Sequence, residues 1–168
     1  GFNRVSFGAQ SIVDGELKAL GRRHDAARIR QAMEWAKEAG FARRSLDVMV
    51  GIPYQPSASL SRTLEEFAGM GPDHISAYLL KIEEGTPFAR QNAQRLCPDE
   101  DKTADLYLQT VEQLASLGYA QYEISNFAKP GKECRHNVGY WTGREYIGLG
   151  LGASSLLDGY RFRNTAHM

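Results

Sequence analysis

Residues 134–141 gather side chains that could bind a large planar ligand. His136, Asn137, Tyr140 and Trp141 lie three and four residues apart, so one helical turn would place them on neighbouring positions of a common face. An imidazole can ligate a metal or move a proton, an amide can fix a ligand's orientation, and two aromatic rings offer a flat apolar wall. The same spacing also suits a structural role, in which the rings simply anchor the segment to the core.

A second set of polar side chains accompanies two predicted strands. Gln10 comes just past the first strand, Asp47 lies in the second, and Arg22 lies in the connection between them. In parallel α/β proteins, ligands bind where the carboxyl ends of the strands meet. Arginine grips a carboxylate through two parallel bonds, and aspartate accepts hydrogen bonds from hydroxyl or ammonium groups. The three residues would suit a small zwitterionic ligand with hydroxyls, although a buried carboxylate and a surface guanidinium would explain them equally well.

The elements that must position these residues alternate along the first half of the chain. Strands are predicted at 1–10, 45–51 and 74–80, and helices at 14–20, from Asp25 to Gly40, and from Ser59 or Ser61 to Gly71. Nearly continuous apolar strands in a strand–helix–strand order predict a parallel sheet with covering helices.

The second half of the chain has a different character. The longest helix is predicted from Pro98 to Gly118, with its inward stripe formed by Ala104, Tyr107, Val111 and Leu114. A short strand at 121–124, a glycine-rich turn at 146–152 and a hairpin around Asp158-Gly159 follow. A nucleotide site would require a helix and a lysine after the glycines, and neither follows. The alternating glycines therefore indicate a tight bend or close backbone packing. These changes predict two parts, 1–95 and 96–168.

The composition excludes several classes of function. The chain has 168 residues, and its 20 basic and 20 acidic residues cancel, so we expect neither nucleic acid nor an anionic membrane as partner. No apolar run approaches the ~18 residues that cross a bilayer. Cys97 and Cys134 form no disulfide or zinc pattern, which favours a reducing, cytoplasmic location. His24 and His74 are single histidines, for which we expect structural roles.

Six segments, taken in order, resemble a known family. They are GFNRVSFGAQS, LKALGRRH, DVMVGIP, HISAYLLKIEEGTPF, YEISNFAKPGKECRHNVGYW and YIGLGLGASS, and together they resemble the oxygen-independent coproporphyrinogen III oxidase-like radical SAM proteins, especially their haem chaperone branch. The resemblance implies the C-terminal part of an open, partial TIM barrel with parallel βα units, followed by a small α+β subdomain. It implies S-adenosylmethionine contacts at Gln10, Arg22 and Asp47, with a looser correspondence near Lys81.

The family's iron–sulfur motif is the main departure. Its CxxxCxxC triplet binds a [4Fe-4S] cluster and lies upstream of the segment that resembles GFNRVSFGAQ, whereas this sequence has only Cys97 and Cys134. We therefore expect a fragment that does not by itself hold the cluster or run radical chemistry.

The resemblance leaves three functions to compare. HNVGYW matches the HNxxYW pattern of the chaperone branch, which implies haem binding and delivery to an acceptor protein. His136, or secondarily Cys134, would then ligate the iron, while Tyr140 and Trp141 pack on the macrocycle beside Asn137. The alternative is radical decarboxylation of coproporphyrinogen III propionates, as in the oxidase branch. A third hypothesis is a half-barrel without activity of its own.

Overall fold

The computed structural model describes residues 2–167 and divides into two compact units. The first unit ends at Glu133 and the second begins at Cys134. The first contains β1 Arg4–Gln10, α1 Asp14–Ala19, α2 Ala26–Glu38, β2 Arg43–Val50, α3 Ser57–Gly69, β3 His74–Leu79, α4 Pro87–Arg90, a 3-10 helix Ala93–Leu96, α5 Glu100–Ser116, β4 Ala120–Glu123 and β5 Asn126–Ala128. The second contains α6 Arg135–Trp141, β6 Ser154–Leu157 and β7 Tyr160–Arg163. The predicted boundary at 95/96 lies inside the first unit, and a functional division there stays a prediction.

The first unit is built on a five-stranded sheet with the order β1-β2-β3-β5-β4. β1, β2 and β3 are parallel, and β5 runs antiparallel to both β3 and β4. Helices α1 and α2 connect the first two strands, and α3 connects the second to the third. The predicted parallel sheet with covering helices is therefore confirmed.

The two faces of this sheet differ in polarity because successive strand side chains point to opposite sides. One face is apolar and packs with α2, α3 and α5 in a core that includes Leu46, Val48, Ile75, Phe67 and Leu114. Burying each large side chain of this kind contributes roughly 1.5–3 kcal/mol. The opposite side, here called the polar face, carries Ser6, Ser45, Asp47, Ser76 and Asn126.

Helix α3 begins earlier than the predicted serine caps. It starts at Ser57, with Pro56 at the N-cap position. Ser59 lies inside the first turn, where its hydroxyl contacts the Glu16 carboxylate and donates to the Pro56 carbonyl at 3.0 Å. Serine hydroxyls serve such tertiary and local bonds as readily as capping, so the cap prediction was wrong.

The second unit combines α6 with the hairpin of β6 and β7. Asp158 and Gly159 form its tight turn with φ values of 51° and 77°, as the Asp-Gly signal predicts. At Gly148 an added Cβ would collide with the Ser154 carbonyl, which confirms the close backbone packing predicted for the glycine-rich segment. Asn164 closes this segment by donating to the carbonyls of Gly148 at 3.1 Å and Gly150 at 2.9 Å.

Candidate functional site

Asp47 lies in the middle of the polar face. Its carboxylate accepts a hydrogen bond from the Ser6 hydroxyl at 2.8 Å, and Ser76 is its register partner on β3. Burial raises the pKa of Asp47, and hydrogen bonding to Ser6 and Ser76 opposes that shift. A half-buried carboxylate with two hydroxyl neighbours can still accept bonds from a ligand, because an ionised carboxylate offers about four lone-pair sites.

A row of hydrogen bonds extends from Asp47 towards the antiparallel strands. Ser76 donates to the Oδ1 of Asn126 at 2.7 Å, and the amide nitrogen of Asn126 donates to Glu123. Glu123 also accepts from the backbone N–H of Ser125 at 3.0 Å. Because each member is held by its neighbour, this row fixes the polar side chains that flank Asp47.

Gln10 ends β1 in a strained conformation. Its φ is 68°, which is uncommon for a residue other than glycine, and the residue is 7% exposed. A Cβ added to Gly8 would lie only 2.9 Å from the Nε2 of Gln10, so the Gln10 amide folds back over that glycine. Gly8 is two residues from Ser6 on β1, so both lie on the face that carries Asp47. The Gln10 amide, which covers Gly8, therefore lies over the same face. Its Oε1 is buried without a hydrogen-bond partner, which is rare for a polar atom in a folded protein.

Arg22 lies in the exposed connection between α1 and α2. It borders a groove of about 250 Å³ together with Met49, Leu80, Lys81 and Phe88, at the carboxyl ends of β2 and β3. Met49 follows Asp47 by two residues on β2 and so lies on the polar face. The sequence-predicted set thus divides into Gln10 and Asp47 on that face and Arg22 with Lys81 at an adjoining groove. Their common role as ligand contacts stays a prediction.

His74 was expected to be a single structural histidine, but it has two side-chain partners. Its Nδ1 lies 2.8 Å from the Ser45 hydroxyl and its Nε2 lies 2.8 Å from the Tyr122 hydroxyl. The residue is 2% exposed, and burial, with a smaller contribution from Arg4, lowers its pKa to about 4. The ring is therefore neutral at pH 7 and links β2, β3 and β4 on the polar face. The two partners lie 29 and 48 residues from His74 in the sequence, so no local pattern could have identified them.

The second unit presents its candidate residues on α6. Tyr140 follows His136 by one turn, its hydroxyl lies 2.8 Å from His136 Nε2, and the two rings meet edge-on with centroids 4.7 Å apart. Tyr140 meets Tyr146 edge-on at the same distance. Tyr140 and Trp141 are 43% and 60% exposed, so their rings offer apolar surface to solvent. The predicted helical face is present, and an anchoring role in the core does not fit these exposures.

The described residues do not provide a cluster site. Among residues 2–167, no three His, Cys, Asp or Glu side chains are grouped as metal ligands. Cys97 lies in the first unit and Cys134, the N-cap residue of α6, in the second. Within the same residues, no helix has the length and apolarity that a bilayer crossing requires.

Comparison with curated proteins identifies the relatives of this chain. It is 38% identical to the protein named heme chaperone HemW from Escherichia coli and 38% identical to that from Mycobacterium tuberculosis, over 98% and 99% of its length. The chain is therefore similar to these heme chaperone proteins over nearly its whole length. It spans less than half of these relatives, 44% and 43% of their respective lengths. The chain is also 37% identical, over 91% of its length, to a zebrafish protein named radical S-adenosyl methionine domain-containing protein 1, mitochondrial.

Two solved structures share the fold of this chain. It matches E. coli coproporphyrinogen III oxidase, HemN, described as a radical SAM enzyme, with a TM-score of 0.82 and 24% identity over 99% of the chain and 42% of that protein. The archaeal Elp3 of Methanocaldococcus infernus matches 66% of the chain with a TM-score of 0.58. No protein-family model matches the chain. The predicted partial barrel is therefore confirmed as the fold, which the chain shares with HemN.

Proposed function

We propose that the protein is a haem-binding chaperone that passes haem to acceptor proteins. The observation that carries this proposal is α6, where His136 contacts the half-exposed ring of Tyr140 and the same helix exposes Trp141. The relatives that match nearly the whole chain and bear the name heme chaperone support it. Haem would be cargo here, held reversibly and released to an acceptor.

The chemistry of α6 suits a porphyrin. A neutral imidazole is a common axial ligand of haem iron, and an aromatic ring packs favourably on a flat macrocycle. The Tyr140 hydroxyl at 2.8 Å fixes the orientation of the His136 ring, as a hydrogen bond to one ring nitrogen does in many metal sites. Cys134 is the second candidate ligand, because it is the N-cap residue of the helix that carries the histidine.

Titration of the protein with haem, followed by its Soret absorption, tests this proposal. We expect the His136→Ala variant to bind more weakly and with a shifted Soret maximum. His167→Ala is the matched control, because this exposed histidine belongs to the same unit. Cys134→Ser tests the second ligand. An unchanged affinity and spectrum in His136→Ala would exclude the proposed coordination.

We also propose that the first unit binds S-adenosylmethionine. Arg22 would hold the ligand's carboxylate, Asp47 would accept bonds from its hydroxyl groups, and the unpaired amide oxygen of Gln10 would accept from a ligand N–H after a small rotation. These residues fit the cofactor because one open face and its adjoining groove offer acceptors and a guanidinium. The cluster that activates the cofactor in radical SAM proteins does not fit the described residues, so radical chemistry is not part of the function proposed for them.

Isothermal titration calorimetry with S-adenosylmethionine tests the cofactor site. Losing a hydrogen bond to a charged group costs roughly 1.5–3 kcal/mol, so Asp47→Asn and Arg22→Ala should each weaken binding about tenfold or more. Arg23→Ala is the control, since Arg23 is an exposed neighbour in the same connection. Unchanged affinity in both site variants would remove this site.

Decarboxylation of coproporphyrinogen III is the second candidate function. Only the fold likeness to HemN favours it, at 24% identity, whereas the relatives near 38% identity carry the chaperone name. Formation of protoporphyrinogen by a longer protein that carries the CxxxCxxC cysteines upstream of this chain, after cluster reconstitution, would support this function over the chaperone.

A further inference from the structure

A groove of about 360 Å³ lies along α6 in the second unit. It combines two arginines and one glutamate, Glu145, with an aromatic wall. Its lining includes Arg135, His136, Gly139, Tyr140, Arg144 and Tyr146.

The end of α6 determines where Arg144 lies. Gly143 adopts φ 69°, its N–H bonds to the Tyr140 carbonyl, and the Arg144 N–H bonds to the Gly139 carbonyl at 2.8 Å. This is the Schellman arrangement, which turns the chain back along the helix. A Cβ on Gly139 would meet the Cβ and Cδ of Arg144 at 3.6 Å. The stem of Arg144 therefore lies against the bare glycine surface, and its guanidinium reaches the groove.

Arg135 reaches the same groove from the first turn of α6. It precedes Gly139 by four residues, so the two share one face of the helix. Neither Arg135 nor Arg144 takes part in an ion pair among residues 2–167. The nearby carboxylate of Glu145 is engaged by the backbone N–H of Asp158 at 2.6 Å. The groove thus keeps two guanidiniums free for an anionic ligand.

We propose that Arg135 and Arg144 bind the two carboxylates of a planar dicarboxylic tetrapyrrole whose ring lies against His136 and Tyr140. Guanidinium matches carboxylate geometry through paired N–H bonds, and the aromatic wall matches the apolar ring. This inference rests on the proposed function, because it assigns the carboxylate contacts of the same haem site. Carboxylate recognition would fix the orientation of the ligand, while the histidine alone would not.

The test compares haem with its dimethyl ester, in which both carboxylates are blocked. Both are titrated into the protein and into Arg135→Gln and Arg144→Gln variants, with the Soret band as readout. Arg161→Gln is the matched control, since Arg161 is an exposed arginine on β7 of the same unit. Far-UV circular dichroism checks that each variant keeps its fold.

We expect the unsubstituted protein to bind the free acid more tightly than the ester. Each groove variant should lose about tenfold in affinity for the free acid and keep its affinity for the ester. Equal binding of acid and ester by the unsubstituted protein, or equal losses for both ligands in the variants, would overturn the inference while leaving haem binding intact. Failure of the unsubstituted protein to bind either ligand would refute the proposed function as well.

Discussion

Replacing His74 by glutamine should change how the stability of the first unit depends on pH. The folded-state pKa of His74 is about 4, against 6.5 for an ordinary histidine. As the pH falls below 6.5, the unfolded chain takes up a proton that the folded chain refuses, so folding stability is lost on acidification. From these two values the loss attributable to His74 is about 2 kcal/mol at pH 5 and about 3 kcal/mol below pH 4.

The lowered pKa of His74 is caused mainly by burial of the ring, with a smaller contribution from Arg4. A neutral imidazole can accept at one nitrogen and donate at the other, which satisfies both Ser45 and Tyr122 at 2.8 Å. Protonation would turn both nitrogens into donors inside a buried site and beside Arg4, which already disfavours the charged ring.

Urea denaturation at pH 7, 6, 5 and 4.5 provides the measurement. We take the difference in unfolding free energy between the unsubstituted chain and His74→Gln, because the contributions of groups that titrate equally in both proteins cancel in it. At pH 7 the variant should be less stable, because it loses packing and bonds, and the gap should narrow by about 2 kcal/mol on going to pH 5. A gap that stays constant over this range would refute the account of His74.

Two further predictions concern glycines. Gly148→Ala should destabilise the second unit by about 1–3 kcal/mol, because its Cβ would collide with the Ser154 carbonyl; thermal unfolding measures this, and Gly15→Ala, whose Cβ meets nothing within 4 Å in α1, should cost nothing and can stabilise. Gly8→Ala would place a Cβ 2.9 Å from the Gln10 amide, so it should weaken S-adenosylmethionine binding in calorimetry while it changes the melting temperature little. Unchanged binding, or a large fall in melting temperature, would argue against a ligand role for Gln10.

Much of the first unit could be predicted because its strands and the ends of its helices are marked by local sequence patterns. The apolar runs around Leu46 and Ile75 and the glycines that end the helices were enough to order β1, β2 and β3 in a parallel sheet. Gln10 was expected just past β1 and is its last residue, whereas Asp47 was expected at the carboxyl end of β2 and lies in the middle of that strand. The common role of these two residues stays a prediction. Arg22 could be placed only in a connection, and the structure adds the groove that it borders.

Features that depend on distant partners could not be predicted. β5 has only three residues and exists through its pairing with β3 and β4. The prediction of the inward stripe of α5 was wrong in part. Leu106 and Thr110 are buried with Leu114, while Ala104 is exposed. Thr110 tolerates burial because its hydroxyl donates to the Leu106 carbonyl at 2.8 Å, a bond that a hydrophobic pattern does not reveal.

Rescue by free imidazole tests the central claim, haem ligation by His136, most directly. The His136→Gly variant opens space for an imidazole where the side chain stood. We predict that it binds haem weakly with a shifted Soret band, and that added imidazole restores the band of the unsubstituted protein. A variant that already shows the unsubstituted spectrum, or one whose spectrum imidazole leaves unchanged, would contradict ligation by His136.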